Sequence, residues 1–524
     1  MSATVRTATE VVSLGRRISD LARLHPDRTV ITVVHRDGDE SSLTWEELDR
    51  RSNAVARLLA EAGARPRSAG VRGRVRRCST VVVGLPNGAD HFVTTIAVWK
   101  LGACVLPLPP AMPARERDAL LDLAAPDAVV AGWDDVAGAI GPDDLAAADR
   151  LSPDPLPDAV PDPAKAVASG GSTGRPKIIV DPTPGQRAPG AAVEAFGAWS
   201  GLSERQRQVV CGPLYHTAPF NMAHAGLFED HELIVHERFD PARVVASIRR
   251  HRATFAAMVP TMMLRILRGT DVTSHDVSSL EALYHTGGPC PPWVKRGWID
   301  LVGPQAVYEA FGSTEMVGVV GIRGDDWLAH PGSLGRPIAT DLRILDGDQR
   351  PVPTGEVGEI YMRLWDDSAP RYRYLGAPSA ASTADGFVSV GDLGRVDEDG
   401  YLFLADRRVD MIVSGGANIY PAEVESALTE HPGVLDVVVV GIPDEEWGRC
   451  VHAIVQPVVS APPPTADQLD AHVHDRLASY KAPRSYEFVD RLPRTEAGKV
   501  RRSALAEERE HGWRPPVTVD RRSS

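Results

Sequence analysis

A run of small and hydroxyl residues that ends in a lysine has the composition of a polyphosphate-binding loop. Positions 169–177 read Ser-Gly-Gly-Ser-Thr-Gly-Arg-Pro-Lys. Glycines let backbone N–H groups turn inward, hydroxyls add hydrogen-bond donors, and the ammonium of Lys177 supplies a point charge. The run therefore predicts a nucleoside triphosphate as ligand, and a glycine-rich surface turn without a ligand is the alternative.

Two other phosphate-loop and catalytic motifs overlap this run. The spacing differs from G-x-x-x-x-G-K-[ST], because two residues separate Gly174 from Lys177 and Ile178 replaces the final hydroxyl. A G-x-S-x-G match at 170–174 would make Ser172 the nucleophile of a serine hydrolase, whose elbow leads from a strand into a helix. Since 177–180 is an extended apolar run, we expect strand, loop and strand instead.

Further motifs follow in a fixed order along the chain. They are Phe-Gly-Ser-Thr-Glu at 311–315, Gly-Asp at 391–392 before an acidic turn, Asp-Arg at 406–407, and Pro-Arg-Thr-Glu-Ala-Gly-Lys at 493–499. The set resembles the adenylate-forming superfamily of acyl-CoA synthetases, nonribosomal peptide adenylation domains and firefly luciferase. The resemblance extends from residue 43 to residue 499, and the acyl-CoA synthetase branch fits best.

The resemblance implies a nucleotide site with ATP as its ligand. The phosphate loop closes over the β- and γ-phosphates. The aromatic residue of the second motif, a Phe here and a Tyr in many relatives, lies against adenine. An aspartate accepts hydrogen bonds from the ribose hydroxyls. A small-residue loop at 287–289 lies against adenine and the acyl carboxylate. In this order the implied contacts are Gly171, Ser172, Thr173, Gly174 and Lys177, then Phe311 and Gly312, Asp392 with Arg407, and Gly287, Gly288 and Pro289.

Three residues take catalytic roles by the same resemblance. Thr314 hydrogen-bonds the α-phosphate, and Glu315 holds a magnesium ion, which commonly takes one carboxylate together with phosphate oxygens. Lys499 bridges the attacking carboxylate and the α-phosphate, two anions whose approach a cation stabilises most in the transition state. Taken alone, Glu315 would be a solvated acid and Lys499 one more basic residue of a tail.

The acceptor and the acid are less constrained. In amino-acid-activating members of the superfamily that the chain resembles, an Asp in the segment that corresponds to 213–220 holds the substrate amine. This segment has no acidic residue, so an α-amino acid is not expected. No Gly-Gly-x-Ser carrier site follows, so coenzyme A is the expected acceptor and a free-standing carrier protein is the alternative. Substrate or CoA contacts are expected at His216, Ala310, Gly415 and Gly416. The run 406–421 resembles ligases of large acids, so we predict a hydrophobic, bulky polycyclic acid, with fatty and aryl acids as alternatives.

Composition sets the broad class. A chain of 524 residues exceeds one hydrophobic core, and a net charge of −13 without a long acidic block disfavours nucleic acid. Five scattered cysteines without a C-x-x-C pair indicate a reducing cytoplasm, and charges break up the N-terminal region, so neither a signal peptide nor a membrane span is expected. Four histidines between 216 and 236 lack a H-E-x-x-H pattern, which disfavours a zinc site.

Valine-rich runs at 81–83 and 437–440 alternate with amphipathic runs at 46–61 and 422–430, which predicts an α/β protein. The resemblance implies a large N-terminal domain of stacked sheets and helices (1–407) and a small, mobile α+β domain (408–524). The hinge follows Arg407, but Val409 replaces the usual Asp or Lys, so either Arg408 or Asp410 is the pivot. Oligomeric state is not indicated.

Overall fold

The computed structural model describes residues 11–65, 79–170, 176–181, 183–187, 191–365, 372–407, 410–444, 446–459, 462–496, 498–509 and 517–518. The strands within these ranges are β1 (Val12–Ser13), β2 (Thr29–Val34), β3 (Glu40–Thr44), β4 (Thr80–Gly84), β5 (Cys104–Pro107), β6 (Ala128–Ala131), β7 (Lys165–Gly170), β8 (Pro176–Asp181), β9 (Gln186–Arg187), β10 (Arg207–Val210), β11 (Glu232–His236), β12 (Phe255–Met258), β13 (Ala282–His285), β14 (Val307–Gly312), β15 (Val319–Arg323), β16 (Arg336–Pro337), β17 (Thr340–Leu345), β18 (Gly358–Leu364), β19 (Arg373–Leu375), β20 (Val388–Val396), β21 (Leu402–Arg407), β22 (Ile412–Ser414), β23 (Ala417–Ile419), β24 (Val434–Asp444), β25 (Gly448–Pro457), β26 (Ser485–Phe488) and β27 (Val517–Thr518).

The helices alternate with these strands along most of the chain. They are α1 (Leu14–Leu24), α2 (Trp45–Glu61), α3 (Ala89–Lys100), α4 (Ala114–Ala124), α5 (Pro142–Ala147), α6 (Ala191–Trp199), α7 (Thr217–Phe228), α8 (Pro241–His251), α9 (Pro260–Gly269), α10 (Pro292–Val302), α11 (Gly324–Ala329), α12 (Pro421–Glu430), α13 (Ala466–His474) and α14 (Arg502–Glu507). Within the described ranges, no helix is both long and apolar enough to cross a membrane.

Two largely parallel sheets form the frame of the large domain. The nine-stranded sheet has the order β16-β15-β14-β13-β12-β10-β11-β2-β3, and its six central strands from β14 to β2 are parallel. The six-stranded sheet has the order β19-β8-β7-β5-β4-β6, in which β7, β5, β4 and β6 are parallel and β8 runs antiparallel to both β7 and β19. Ile18, Leu48, Phe92 and Leu227, from α1, α2, α3 and α7, share one buried core with strands of both sheets.

A third sheet and a separate unit complete the chain. The antiparallel sheet β17-β18-β20-β21 ends at Arg407, the last residue before the gap at 408–409. From Asp410 onward, the sheet β24-β25-β26-β27 and the hairpin β22–β23 pack with helices α12 and α13 around their own core, which includes Val437, Val451 and Leu469. We call this unit the small domain.

Local sequence explains why the predicted elements form. Helix α2 begins with a capping box, in which the Thr44 hydroxyl accepts from the Glu47 N–H at 3.2 Å and the Glu47 carboxylate accepts from the Thr44 N–H at 2.8 Å. The valine runs lie inside β4 and β24, whose central residues are buried, and helix α12 starts with Pro421. The predicted α/β class with a large N-terminal and a small C-terminal domain is confirmed; the boundary after Arg407 stays a prediction.

Candidate active site

The phosphate-loop candidate is held between two paired strands. Strand β7 leads into it and β8 leads out, with Ser169 opposite Lys177 and Gly170 opposite Pro176. The two expected strands are therefore present on either side of positions 171–175, and a strand stands where a hydrolase elbow requires a helix. Four loop candidates, which are Gly171, Ser172, Thr173 and Gly174, lie outside the described residues.

Lys177 reaches Glu315 and a tyrosine of β19. The Lys177 ammonium lies 3.6 Å from Glu315 Oε1 and 4.1 Å from the ring centroid of Tyr374. The Tyr374 hydroxyl donates to the same Glu315 oxygen at 2.5 Å, and burial, followed by this hydrogen bond, raises the pKa of Tyr374. Two predicted site residues from distant motifs are thus in contact, joined by a residue that the sequence did not single out.

Two neighbouring parallel strands present the adenine and carboxylate candidates. Because β13 and β14 run parallel with His285 opposite Glu309, their carboxyl ends meet at one edge of the sheet. Gly287, Gly288 and Pro289 follow β13, and Phe311 and Gly312 end β14. The Phe311 ring is half-buried against the core of the third sheet.

Behind these strand ends lies a buried ionic cluster. Lys295 of α10 forms an ion pair with Glu309, and His285 is fully buried with Nδ1 3.9 Å from Glu309 Oε1 and no hydrogen-bond partner for either ring nitrogen among the described residues. Burial raises the pKa of Glu309, which Lys295 opposes, and burial also lowers the pKa of His285 well below its ordinary value. The cluster joins α10 to both strands that carry nucleotide candidates.

His216 stands immediately before α7, where it is the N-cap residue. Burial, followed by the charge of Lys499, lowers the pKa of His216 to about 3, so the ring is neutral. Three buried polar atoms in the candidate segments 213–220 and 311–315 have no hydrogen-bond partner among the described residues: His216 Nε2, Thr217 Oγ1 and Ser313 Oγ. Buried polar groups are normally satisfied, so these atoms are available to a ligand.

Ala310 does not face open space. It is 6 % exposed and belongs to a buried cluster with Met222 and Tyr284, against which Phe196 and Trp199 pack. Aromatic rings surround Ala310. The expected contact of Ala310 with the substrate stays a prediction.

The loop that carries Lys499 is anchored within the small domain by Arg494. The Arg494 guanidinium donates to Asp436 Oδ2 at 2.6 Å, to Asp436 Oδ1 at 2.9 Å and to the Gly498 carbonyl at 2.9 Å. The loop also closes on itself, because the Thr495 N–H donates to the Lys499 carbonyl at 2.8 Å. Lys499 itself is exposed.

The same loop touches the large domain. The Tyr215 hydroxyl donates to Glu496 Oε2 at 3.1 Å, across 281 positions of sequence. A Cβ at Gly498 would lie 2.4 Å from Thr261 Oγ1, and φ is +73° there, so glycine permits both the approach and the backbone conformation. A cavity of about 140 Å³ lies between the domains, lined by the loop 287–289 on one side and by Arg494 and Gly498 on the other.

A second contact fastens the small domain at the end of α12. Arg268, from the last turn of α9, donates to the carbonyl of Thr429 at 3.2 Å and to that of Pro432 at 3.4 Å. Its guanidinium stacks on Trp293 at 4.5 Å from the ring centroid. A cation complements the unsatisfied carbonyls at a helix C-terminus, so this contact favours the pose in which Lys499 approaches His216.

The ribose candidates occupy opposite positions on paired strands. Asp392 on β20 is the register partner of Arg407 on β21. Asp392 is half-buried, whereas the Arg407 side chain lies outside the described residues. Of the two pivot candidates, Arg408 is also outside them, and Asp410 accepts from Arg502 of α14 at 2.9 Å.

Gly415 and Gly416 form the turn between β22 and β23, with φ of +56° and +83°. A Cβ at Gly415 would lie 2.3 Å from Trp447 Cε3, whereas one at Gly416 would meet nothing within 4 Å. Gly415 is thus required by packing inside the small domain. Gly416 has open space beside it, so a side chain there can test its predicted contact with coenzyme A without disturbing the packing of the small domain.

The site includes residues that sequence reasoning missed. Tyr374, Tyr215 and Arg494 each bond a predicted residue or its loop. Tyr215 and Arg494 lie within quoted motifs, next to His216 and in the run 493–499, which is the one local signal they carry. Tyr374 lies in a short alternating strand pattern without such a signal.

The residues fit a magnesium nucleotide. Among the described residues, no group of three or more His, Cys, Asp or Glu could hold a metal by protein ligands alone. A single carboxylate suffices for magnesium that arrives with phosphate oxygens. The contacts of Tyr374 and Lys177 with Glu315 both involve Oε1. Fold and site together define a two-domain adenylate-forming enzyme.

Comparisons with known proteins agree. The sequence profile of AMP-binding enzymes matches residues 19–364, and that of the AMP-binding enzyme C-terminal domain matches residues 423–499. The chain belongs to the AMP-binding enzyme family. The expected AMP-forming acid–thiol ligase, with ATP, magnesium and coenzyme A as cofactors, is confirmed at this level.

Particular relatives cover nearly the whole chain. A feruloyl-CoA synthase of Amycolatopsis sp is 34% identical over 498 residues, which are 91% of this chain and 95% of the relative. A fatty acid–acyl-carrier-protein ligase of Streptomyces coeruleorubidus is 30% identical over 88% of this chain and 91% of its own length. The solved structure of o-succinylbenzoate CoA synthetase from Bacillus subtilis, in complex with its acyl-adenylate, is similar at a TM-score of 0.77 and 26% identity, covering 95% of this chain and 98% of that one.

Proposed function

We propose that the protein activates a hydrophobic carboxylic acid with ATP as an acyl-adenylate and transfers the acyl group to coenzyme A. One observation carries the proposal: the Lys499 loop of the small domain meets the His216 segment of the large domain. This contact brings the ammonium of Lys499 toward the sheet edge where Gly287 follows β13 and Phe311 lies at the end of β14.

In the first step, a carboxylate oxygen of the acid attacks the α-phosphorus, and the bond from that phosphorus to the bridging oxygen breaks, so pyrophosphate leaves. The ammonium of Lys499 offsets the charge of the two approaching anions, and Thr314 donates to the α-phosphate. Magnesium, when bound, neutralises phosphate charge, and Glu315 is its protein ligand. Neutral His216 adds no charge and offers Nε2 to the acyl carboxylate.

The remaining contacts hold the nucleotide. Phe311 stacks on adenine through its π-face. Asp392 accepts from both ribose hydroxyls, which a carboxylate can do with its two oxygens. The phosphate loop and the loop after β13 complete the site with Gly171, Ser172, Thr173, Gly174, Lys177, Gly287, Gly288, Pro289, Gly312 and Arg407.

In the second step, the thiol sulfur attacks the carbonyl carbon of the acyl-adenylate, the bond from that carbon to the phosphate oxygen breaks, AMP leaves, and the thiol proton is released to solvent. Gly415 and Gly416 are the proposed contacts of the pantetheine arm. A carrier protein is the second candidate acceptor, because one relative is named a fatty acid–acyl-carrier-protein ligase. Thioester formation with coenzyme A, compared with formation on a phosphopantetheinylated carrier, separates the two acceptors.

We place the reaction in the cytoplasm because the described cysteines are free thiols.

The acid is assigned by class. The prediction of a bulky polycyclic acid stands for test, and an aryl acid is the second candidate. Two observations favour the aryl acid: the rings of Phe196, Trp199 and Tyr284 gather around Ala310, and two relatives are named for feruloyl and o-succinylbenzoyl substrates. Aromatic pairs favour offset or edge-to-face packing with such rings.

The experiment is a pyrophosphate-release screen over fatty, aryl and polycyclic acids, with and without coenzyme A. We expect acid-dependent and magnesium-dependent release, and thioester formation only when a thiol is present. Folded protein that releases no pyrophosphate with any acid would refute adenylation. Release confined to fatty acids would refute both acid assignments.

A further inference from the structure

Tyr374 connects the two charged candidates of the phosphate site. Its hydroxyl donates to Glu315 Oε1 at 2.5 Å, and its ring carries the Lys177 ammonium at 4.1 Å from the centroid. Lys177 approaches the same carboxylate oxygen at 3.6 Å. One side chain therefore holds an anion through its hydroxyl and a cation through its ring.

The fold makes this arrangement specific. Tyr374 on β19 is the register partner of Ile179 on β8, two residues after Lys177, so Lys177 and Tyr374 lie on one face of the sheet. Glu315 approaches that face from the loop after β14. Glu315 and Lys177 are mostly buried, at 15% and 21% exposed, so their contacts are only partly screened by water.

Hydroxyl and ring have separable effects. A phenol that donates to Oε1 fixes the rotation of the carboxylate and turns Oε2 away from this contact. A ring beneath Lys177 holds the ammonium by cation–π attraction before any phosphate is present. Phenylalanine at this position would keep the second effect and lose the first.

We propose that Tyr374 is a positioning residue for the magnesium nucleotide. Through Oε1 it orients Glu315 so that Oε2 meets the metal, and through its ring it holds Lys177 beside Glu315 until the phosphates take up the ammonium. In the nucleotide-free protein, Lys177 compensates the charge of Glu315. The inference rests on the proposed function, because the roles of Glu315 and Lys177 come from it.

The test is isothermal titration calorimetry with ATP, in magnesium and in EDTA. Tyr374→Phe should weaken binding of ATP about tenfold in magnesium, the effect of one hydrogen bond to a charged group, and leave binding in EDTA unchanged. Tyr374→Leu should weaken binding in both, because Lys177 loses its ring as well. A purely structural role would weaken binding equally with and without magnesium.

Tyr401→Phe is the matched control. The Tyr401 hydroxyl donates to Asp326 at 2.7 Å, and Arg336 stacks on its ring at 4.3 Å, so the same two interactions occur outside the site. We expect this variant to bind ATP as wild type does. A loss of magnesium-dependent affinity in it equal to that of Tyr374→Phe would overturn the inference.

A double-mutant cycle checks the route of the effect. In a Glu315→Gln background, Tyr374→Phe should change the affinity in magnesium less than twofold, because the phenol acts through the carboxylate. A Tyr374→Phe protein that binds like wild type in magnesium overturns this inference alone. A folded wild-type protein that binds no ATP overturns the proposed function together with it.

Discussion

Replacing Arg494 with methionine separates the stability of the small domain from the position of its catalytic loop. The Arg494 and Asp436 side chains are 12% and 9% exposed, and the guanidinium donates twice to the carboxylate. It also donates to the carbonyls of Val437 and Gly498, both at 2.9 Å. The substitution leaves Asp436 charged, buried and without this partner.

The magnitude follows from these contacts. Breaking one side of a buried ion pair costs ~3–5 kcal/mol, so the free energy of unfolding of the small domain should fall by that amount. Arg494→Met with Asp436→Asn removes the charge and keeps an oxygen that accepts from the Val437 N–H, a bond of 2.8 Å in the wild type. More than half of the stability should return in this double variant. Both variants lose the contact to Gly498, worth ~1.5–3 kcal/mol, so adenylation should be slower by about ten- to a hundredfold in each.

Hydrogen exchange in β24 and β25 measures the local stability of the small domain, and acid-dependent pyrophosphate exchange measures adenylation. Unchanged exchange in the single variant would refute the desolvated ion pair. Wild-type adenylation in the double variant would refute the role of the Gly498 contact. Thioester formation from synthetic acyl-adenylate is the control for overall integrity.

Three further predictions concern the catalytic lysine, the glycine turn of the small domain and a buried histidine of α3. Lys499→Ala should slow adenylation by about 10²–10³-fold and largely spare thioester formation from the synthetic acyl-adenylate; equal loss of both steps would remove the proposed role. Gly416→Leu should spare adenylation and impair thioester formation. Gly400→Leu is its control for ~1–3 kcal/mol of backbone strain, because φ is +82° at Gly400 and +83° at Gly416 and a Cβ at either position would meet nothing within 4 Å. His91 has a pKa lowered by burial to about 4, from 6.5. As the pH decreases from 6.5 to about 4, the unfolded chain takes up a proton that the folded one does not, so the free energy of unfolding decreases over this range. His91→Leu should reduce that decrease by about 3 kcal/mol in urea titrations, and an unchanged decrease would contradict the buried neutral ring.

Local signals in the sequence predicted the elements well. Helix α2 carries its capping box at Thr44, and β4 and β24 are runs of valine that suit buried strands. The phosphate loop was placed between two strands because Ile178 and its neighbours form an apolar run. Each of these signals spans fewer than about twenty residues, which is the range over which capping and periodicity act.

Contacts between distant segments left no such signal. Tyr215 and Glu496 are 281 positions apart, and Tyr374 and Glu315 are 59 positions apart. Their approach depends on strand order and domain docking, which a single sequence does not encode locally. The ring cluster around Ala310 left no local signal for the same reason, since Trp199 of α6 packs there from more than a hundred positions away.

The pairing of β7 with β8 constrains how this site can change in length. Ser169 opposite Lys177 and Gly170 opposite Pro176 close the ladder on both sides of the five intervening positions. Extra residues between 170 and 176 lengthen the loop and leave the phase of β8 untouched. One extra residue between Lys177 and Ile179 would turn the lysine to the opposite face, away from Tyr374 and Glu315. The ladder therefore tolerates a change in the length of the loop. The two-residue spacing between Lys177 and Ile179, the register partner of Tyr374, is fixed because it keeps Lys177 on the same face as Tyr374.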